Sequence, residues 1–186
     1  MLARISRGSE RLAPLPGKGN DIMPKHSITR EMHYSARQLF DIAADVDNYR
    51  KFVPLVKVSR SYDVRSGEAG TKLFKGELVI RYPKLGIEER VISDVVADPG
   101  RLIVSSRATQ GAVEHLESSW KFQERRDGGC DVEFTIDYKL KRRAIQFLMT
   151  GMFDLIVRKI NAAFEARALQ LYGPPSESRR APASSS

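Results

Sequence analysis

The chain has 186 residues, 41% of them apolar and 29% charged, and a single cysteine. These values describe one globular unit with tails, and a lone Cys130 excludes a fold stapled by intramolecular disulfides. The longest purely apolar runs are three residues, such as Leu78-Val79-Ile80 and Leu155-Ile156-Val157, far short of the roughly 20 that a membrane-spanning helix takes. The formal net charge is +8, of which +2 falls on residues 1–22 and +1 on 173–186, leaving +5 between them. That surplus favours anionic surfaces without naming one.

Residues 1–23 mix Gly, Pro and scattered Arg with no period, and they lack the apolar stretch of a secretory signal. They are expected to be a disordered extension, with Met23-Pro24 marking where the fold begins. The alternative is a mitochondrial presequence, since Leu2, Ile5 and Leu12 interleave with arginines, although Glu10 and Asp21 are foreign to such peptides. Residues 24–173 are expected to form the one domain. Gly173-Pro174-Pro175 stops a helix, and residues 174–186, rich in Ser, Arg and Pro, read as a disordered tail.

The stretch from His26 to His33 alternates, with Ile28 and Met32 on one face, and predicts a first strand. Ser35 and Gln38 make a capping box at a helix start, followed by the apolar stripe Leu39, Phe40, Ile42, Ala43 and Val46. A second helical turn is expected from Asp47 as N-cap through Tyr49, Phe52 and Val53, ended by Pro54. From Leu55 to Leu140, Gly and Pro recur at hairpin spacing and divide the chain into six strands. The clearest runs from Cys130 through Val132, Phe134, Ile136 and Tyr138 to Leu140, apolar at every second place. Leu116, Trp120 and Phe122 share a face of the strand before it, and Phe74, Leu78, Ile80 and Tyr82 share a face of an earlier one. Each strand therefore has a wet side and an apolar side.

Residues 142–172 read as one helix, about 45 Å long at 1.5 Å rise per residue. Seven strands at 4.8 Å spacing span roughly 29 Å, so this helix is long enough to cover the apolar face of the sheet. The expected class is α+β, a curved antiparallel sheet of about seven strands around a long C-terminal helix. A sheet that curls incompletely around a helix leaves an elongated apolar cavity, a natural place for a hydrophobic ligand.

The helix carries more apolar surface than a sheet contact uses. Nine of the thirteen residues from Ile145 to Val157 are Ile, Phe, Leu, Met or Val, spread around the cylinder, whereas one face on a sheet needs only a stripe. Just before it stand Lys139, Lys141, Arg142 and Arg143, where the helix dipole disfavours cations. These four with Phe147 are candidates for contact with an anionic membrane surface. The alternative is that Asp137, Asp154 and other carboxylates neutralise the cluster and the excess apolar residues form a homo-oligomer contact. Gly151, which costs about 1 kcal/mol relative to Ala in mid-helix, either permits close packing on the sheet or lets the front half of the helix tilt.

Chemistry-bearing clusters are sparse. His26, His33, His115 and Cys130 fall in no metal-ligand spacing, so no metal is expected, and Cys130 lies in phase with the core residues of its strand. No Gly-x-Ser-x-Gly accompanies the few histidines, so no catalytic residue is assigned and the protein is expected not to be an enzyme. Glu88-Glu89 and Glu114 with Glu117 read as solvated or ion-paired strand residues, with Glu117 pointing away from Trp120 in strict alternation.

The order of strand, two short helices, six strands and a long helix resembles the START-like helix-grip superfamily. Three segments resemble its coenzyme Q-binding START-domain family in particular: Asp45 to Pro54 (DVDNYRKFVP), His115 to Phe122 (HLESSWKF), and Met152-Phe153 through Ala162 to Glu165 to Leu171-Tyr172-Gly173. Bacterial members overlap in sequence with the ribosome association toxin family. Where family members often carry Trp-Cys after the Phe-x-Pro segment, this chain has Leu55-Val56, which keeps an apolar lining and loses an indole. The resemblance implies a non-catalytic binding protein for ubiquinone, an isoprenoid quinone bound as ligand with no cofactor, serving respiration and ubiquinone biosynthesis. The expected lining is Val53, Pro54, Leu55, Phe74, Leu78, Ile80, Leu116, Trp120, Phe134, Ile136, Met149, Met152, Phe153 and Ile156. The implied location is the cytoplasmic side of the inner membrane, or the matrix side of the mitochondrial one. The rival implications are a toxin that binds the large ribosomal subunit and a polyketide cyclase-like enzyme.

Overall fold

The computed structural model describes residues 25–175; the expectations for 1–23 and for 176–186 fall outside them. Seven strands form one antiparallel sheet: β1 (Lys25–Met32), β2 (Val56–Ser66), β3 (Lys72–Tyr82), β4 (Ile87–Asp98), β5 (Ile103–Gly111), β6 (Val113–Glu124) and β7 (Cys130–Leu140). Their spatial order is β1-β7-β6-β5-β4-β3-β2. The first two strands are thus the two edges, and the segment that joins them crosses the whole sheet. That segment holds α1 (Ala36–Ala44) and a 3-10 turn (Val46–Lys51). The last element, α2 (Arg143–Tyr172), is a single helix of 30 residues.

Local chemistry sets these boundaries. Ser35 and Gln38 form the expected capping box at the start of α1. The second turn starts earlier than expected: Asp45, not Asp47, precedes it, and it is of the 3-10 type. Asp47 instead accepts from Ser61 N at 2.6 Å and Ser61 Oγ at 2.5 Å, so its carboxylate pins the turn to β2. Between β4 and β5, Asp98 Oδ1 accepts from Gly100 N and Arg101 N at 2.9 and 3.0 Å, an Asx turn that reverses the chain. At the end of β5, Gly111 has φ +119°, and a Cβ there would stand 2.0 Å from Arg90 O, so only glycine fits. Register shifts in the β2–β3, β4–β5 and β6–β7 ladders bend the strands and let the sheet curl.

The core divides along α2. Phe164 and Ala168, near its end, join a large cluster with Leu39 and Phe40 of α1 and with Trp120, Phe122, Val132 and Phe134 of the sheet. Tyr34 Oη donates to Gly173 O at 3.1 Å, holding the helix C-terminus beside the start of α1. Farther forward, Val157 packs in a smaller cluster with Tyr138, Leu116, Ile136 and Met149. Between these anchorages Ile160 packs against the core and Asn161 is buried.

Candidate functional site

Between α2 and the sheet lies a cavity of about 270 Å³ with a largely apolar wall, partly open to solvent. Strand alternation builds its floor: Leu78 and Ile80 of β3, Val91, Ser93 and Val95 of β4, and Leu116, Ser118 and Trp120 of β6 all point to the helix side. The turn after the 3-10 segment supplies one rim through Val53, Pro54 and Leu55. Leu55 holds φ +69°, a left-handed conformation uncommon for a branched side chain, and is 38% exposed. Its carbonyl accepts from Arg81 N at 2.8 Å, which fixes this rim against the end of β3.

Of the residues expected to line a cavity, Val53, Pro54, Leu55, Leu78, Ile80, Leu116, Trp120, Phe134, Ile136, Met149 and Ile156 stand on its wall. Phe74 does not. It points inward as its phase predicts, but it belongs to the core cluster that contains Leu39, Phe40 and Val46, because the crossing segment fills that part of the sheet. Met152 is also off the wall. The buried face of α2 centres on Val157, Phe164 and Ala168, the cavity takes one flank of it through Met149, Ile156 and Ile160, and at 100° per residue Met152 falls beyond that flank. The side chain of Phe153 lies outside the described residues.

Several wall residues were missed in the sequence. Glu89 is the most consequential: its neighbour Glu88 faces outward and pairs with Lys57 at 2.7 Å, while Glu89 turns into the cavity. Arg142 Nε lies 2.7 Å from Glu89 Oε1, an ion pair at the mouth whose N–H is not aimed at the oxygen, so Oε1 accepts no well-formed hydrogen bond. Two inward serines, Ser106 of β5 and Ser118 of β6, share a hydrogen bond of 2.9 Å. Tyr49 also reaches the wall, donating to Ala43 O at 2.5 Å; burial, then the charge of Asp45, pushes its hydroxyl pKa well up. Tyr82, on the wall near the ion pair, is raised by burial and next by Glu89. Inward phase was the one signal available for the strand residues Glu89, Ser106, Ser118 and Tyr82, and residue type pointed toward solvent for the serines and Glu89.

The basic cluster separates when folded. Lys139 pairs with Glu114 at 3.0 Å, and Arg142 pairs with Glu89, so two of the four cations meet carboxylates of neighbouring strands. Lys141 Nζ donates to Gly111 O at 2.7 Å, and Arg143 is exposed. One turn on, Phe147 is 83% exposed. Glu117 pairs with Arg107 at 2.7 Å on the outer face, away from Trp120. Cys130 is fully buried, and burial pushes its thiol up to about 12. Among the described residues no group of three or more His, Cys, Asp or Glu is placed to hold a metal, and no helix is long and apolar enough to cross a membrane.

Comparison with known proteins gives consistent relatives. A family model for polyketide cyclase / dehydrase and lipid transport matches residues 32–165. The mitochondrial coenzyme Q-binding protein COQ10 of Drosophila melanogaster is 30% identical over 163 residues, 84% of this chain and 64% of that protein. The ribosome association toxin RatA of Rickettsia prowazekii is 27% identical over 146 residues, 77% of this chain and 94% of the toxin. The chain thus spans about three-fifths of the length of the coenzyme Q-binding relatives it matches. A START superfamily protein from Mycobacterium smegmatis superposes with a TM-score of 0.64 at 18% identity, covering 79% of this chain and 98% of that one, a likeness of fold. The architecture is START-like helix-grip, as the sequence resemblance implied.

Proposed function

The chain belongs to the polyketide cyclase / dehydrase and lipid transport family, and from that premise we propose that it is a non-catalytic carrier or chaperone for an isoprenoid quinone, ubiquinone. The observation that carries this reading is the open apolar cavity between the sheet and α2. Its wall of aliphatic and aromatic side chains rewards burial of a greasy guest at about 25 cal/mol per Å², and its few polar groups suit the orientation of a ring rather than bond-making. The coenzyme Q-binding relative adds support through the name of its ligand. The role is to present the quinone to respiratory enzymes and to the enzymes that make it, at the inner face of the membrane that holds them.

The cargo lives in a bilayer, so the protein meets one. We place that contact at the mouth end, on anionic lipid: Phe147, Leu55 and Leu85 are exposed there at 83%, 38% and 41%, with Lys141 and Arg143 beside Phe147. Extraction of the purified protein with organic solvent, followed by mass spectrometry, tests the carrier reading. A co-purifying long-chain ubiquinone is the expected result. Protein that leaves the cell empty and takes up no quinone from vesicles overturns it.

A second reading, binding to the large ribosomal subunit, is favoured by the near-complete coverage of the toxin relative. It assigns the cavity no task. Salt-sensitive co-sedimentation with ribosomes is the outcome that would support it.

A further inference from the structure

The two ends of the cavity differ in chemistry. Its closed end is aromatic: Trp120, Phe134 and Phe164 are 8%, 9% and 2% exposed, with the indole 4.3 Å from the Phe134 ring and 4.8 Å from the Phe164 ring between centroids. Its open end is aliphatic, with Leu55, Val56, Ile80, Leu140 and Met149 half-buried or exposed. The Ser106–Ser118 pair belongs to the aromatic end. The two serines face each other across β5 and β6, one inward step from the pair Val104 and Trp120. Each hydroxyl has one donor and two acceptor sites, so the bond between them leaves one donor and further acceptors for a guest. The volume, about 270 Å³, lies just below the roughly 300–1,000 Å³ usual for ligand pockets, room for a substituted ring and a short stretch of chain.

We infer that the ligand enters ring first, with a ring oxygen bonded to the Ser106–Ser118 hydroxyl pair and the tail leaving through the aliphatic mouth. The inference rests on the carrier reading and names its head-group subsite. An all-hydrocarbon tail at the closed end would leave the serine donor without a partner, a loss that a carbonyl or hydroxyl oxygen removes. The same hydroxyls turn to donate to a carbonyl or to accept from a ring hydroxyl. The Glu89–Arg142 ion pair at the mouth offers a neutral ring no complementary charge.

The test uses ubiquinone carrying two isoprene units, with affinity measured by equilibrium dialysis and by the fluorescence of Trp120, the single tryptophan of the chain. The variants are Ser106→Ala/Ser118→Ala and Arg142→Gln, each checked by thermal melting. Wild type is expected to bind with strong quenching, and the double serine variant to bind about tenfold more weakly at an unchanged melting temperature. Should the double variant melt early, the single variants carry the same test, each expected to weaken binding about threefold. Unchanged affinity without the serines, or a loss confined to Arg142→Gln, overturns the subsite and leaves the carrier reading standing. Failure of wild type to bind the probe sinks the carrier reading itself.

Discussion

Glu77 is a carboxylate held where carboxylates seldom sit. It lies on the outer face of β3, 4% exposed, with Arg90 Nε 2.7 Å from one oxygen and Arg60 Nη2 2.7 Å from the other. The hydrogen bond from Arg90 lowers its pKa most, burial opposes, and Arg60 adds to the lowering, for a value of about 2 against an ordinary 4.5. A depressed carboxylate pKa means that the unfolded chain takes up the proton first on acidification. The contribution of Glu77 is therefore present in full above pH 4.5 and lost as pH falls toward 2. Glu77→Gln is expected to cost about 1.5–3 kcal/mol at pH 7, read by urea unfolding, with the gap to wild type narrowing as pH falls below 4.5 toward 2. A gap independent of pH would mean that shape rather than charge holds the site. The register of β3 shows in its sequence which way Glu77 points, but not that two arginines from different strands meet there. The same limit hid Glu89, whose inward direction followed from alternation while its partner Arg142 lies 53 positions away in the chain.

At the scale of elements, α2 is the part that the sequence described well in extent and poorly in attitude. Its length, its end at Gly173 and its inward stripe through Ile160 and Phe164 were legible because 3.6-residue periodicity and a glycine stop are local signals. How far it stands from the sheet was not, because that depends on what α1 and the crossing segment occupy first. This is also why Phe74 was expected at the cavity and lies in the core instead. Gly151 follows from the same geometry. A Cβ there would meet nothing within 4 Å, so close packing does not explain the glycine. Ahead of it, the front turns are held by Arg142 to Glu89 and by Gln146 Oε1, which accepts from Leu140 N at 2.9 Å. Behind it, Phe164 and Ala168 are fixed in the core. A flexible joint between two held ends permits the front half to lift and open the cavity. Gly151→Ala is expected to raise stability by about 1 kcal/mol and to slow release of a short-chain quinone in stopped-flow fluorescence. Higher stability with an unchanged release rate would reduce Gly151 to a weak helix former and nothing more.

For the whole molecule, the proposed lipid contact turns on which end carries the mouth of the cavity. Leu55 is tied to β3 through Arg81, Ile80 pairs with Glu89 in the β3–β4 ladder, and Glu89 holds Arg142. The rim, the hairpin end that carries Leu85, and the start of α2 therefore share one end of the protein, the end at which the wall residue Leu55 is exposed. An apolar tail emerging from that mouth passes from side chains to acyl chains with little exposure to water only if this end lies on the bilayer. On the proposed reading Phe147, the most exposed large apolar side chain among the described residues at 83%, would supply the apolar contact, and Lys141 and Arg143 the charge. Each such cation near an anionic surface contributes about 1 kcal/mol. Sedimentation with vesicles containing phosphatidylglycerol is expected to show binding that weakens with salt. Phe147→Glu should abolish it, and Lys141→Gln and Arg143→Gln should each weaken it about fivefold, with the fold intact by thermal melting because neither Phe147 nor Arg143 is buried. Undiminished sedimentation of Phe147→Glu would place the lipid contact elsewhere on the surface and remove the link between the mouth and the membrane.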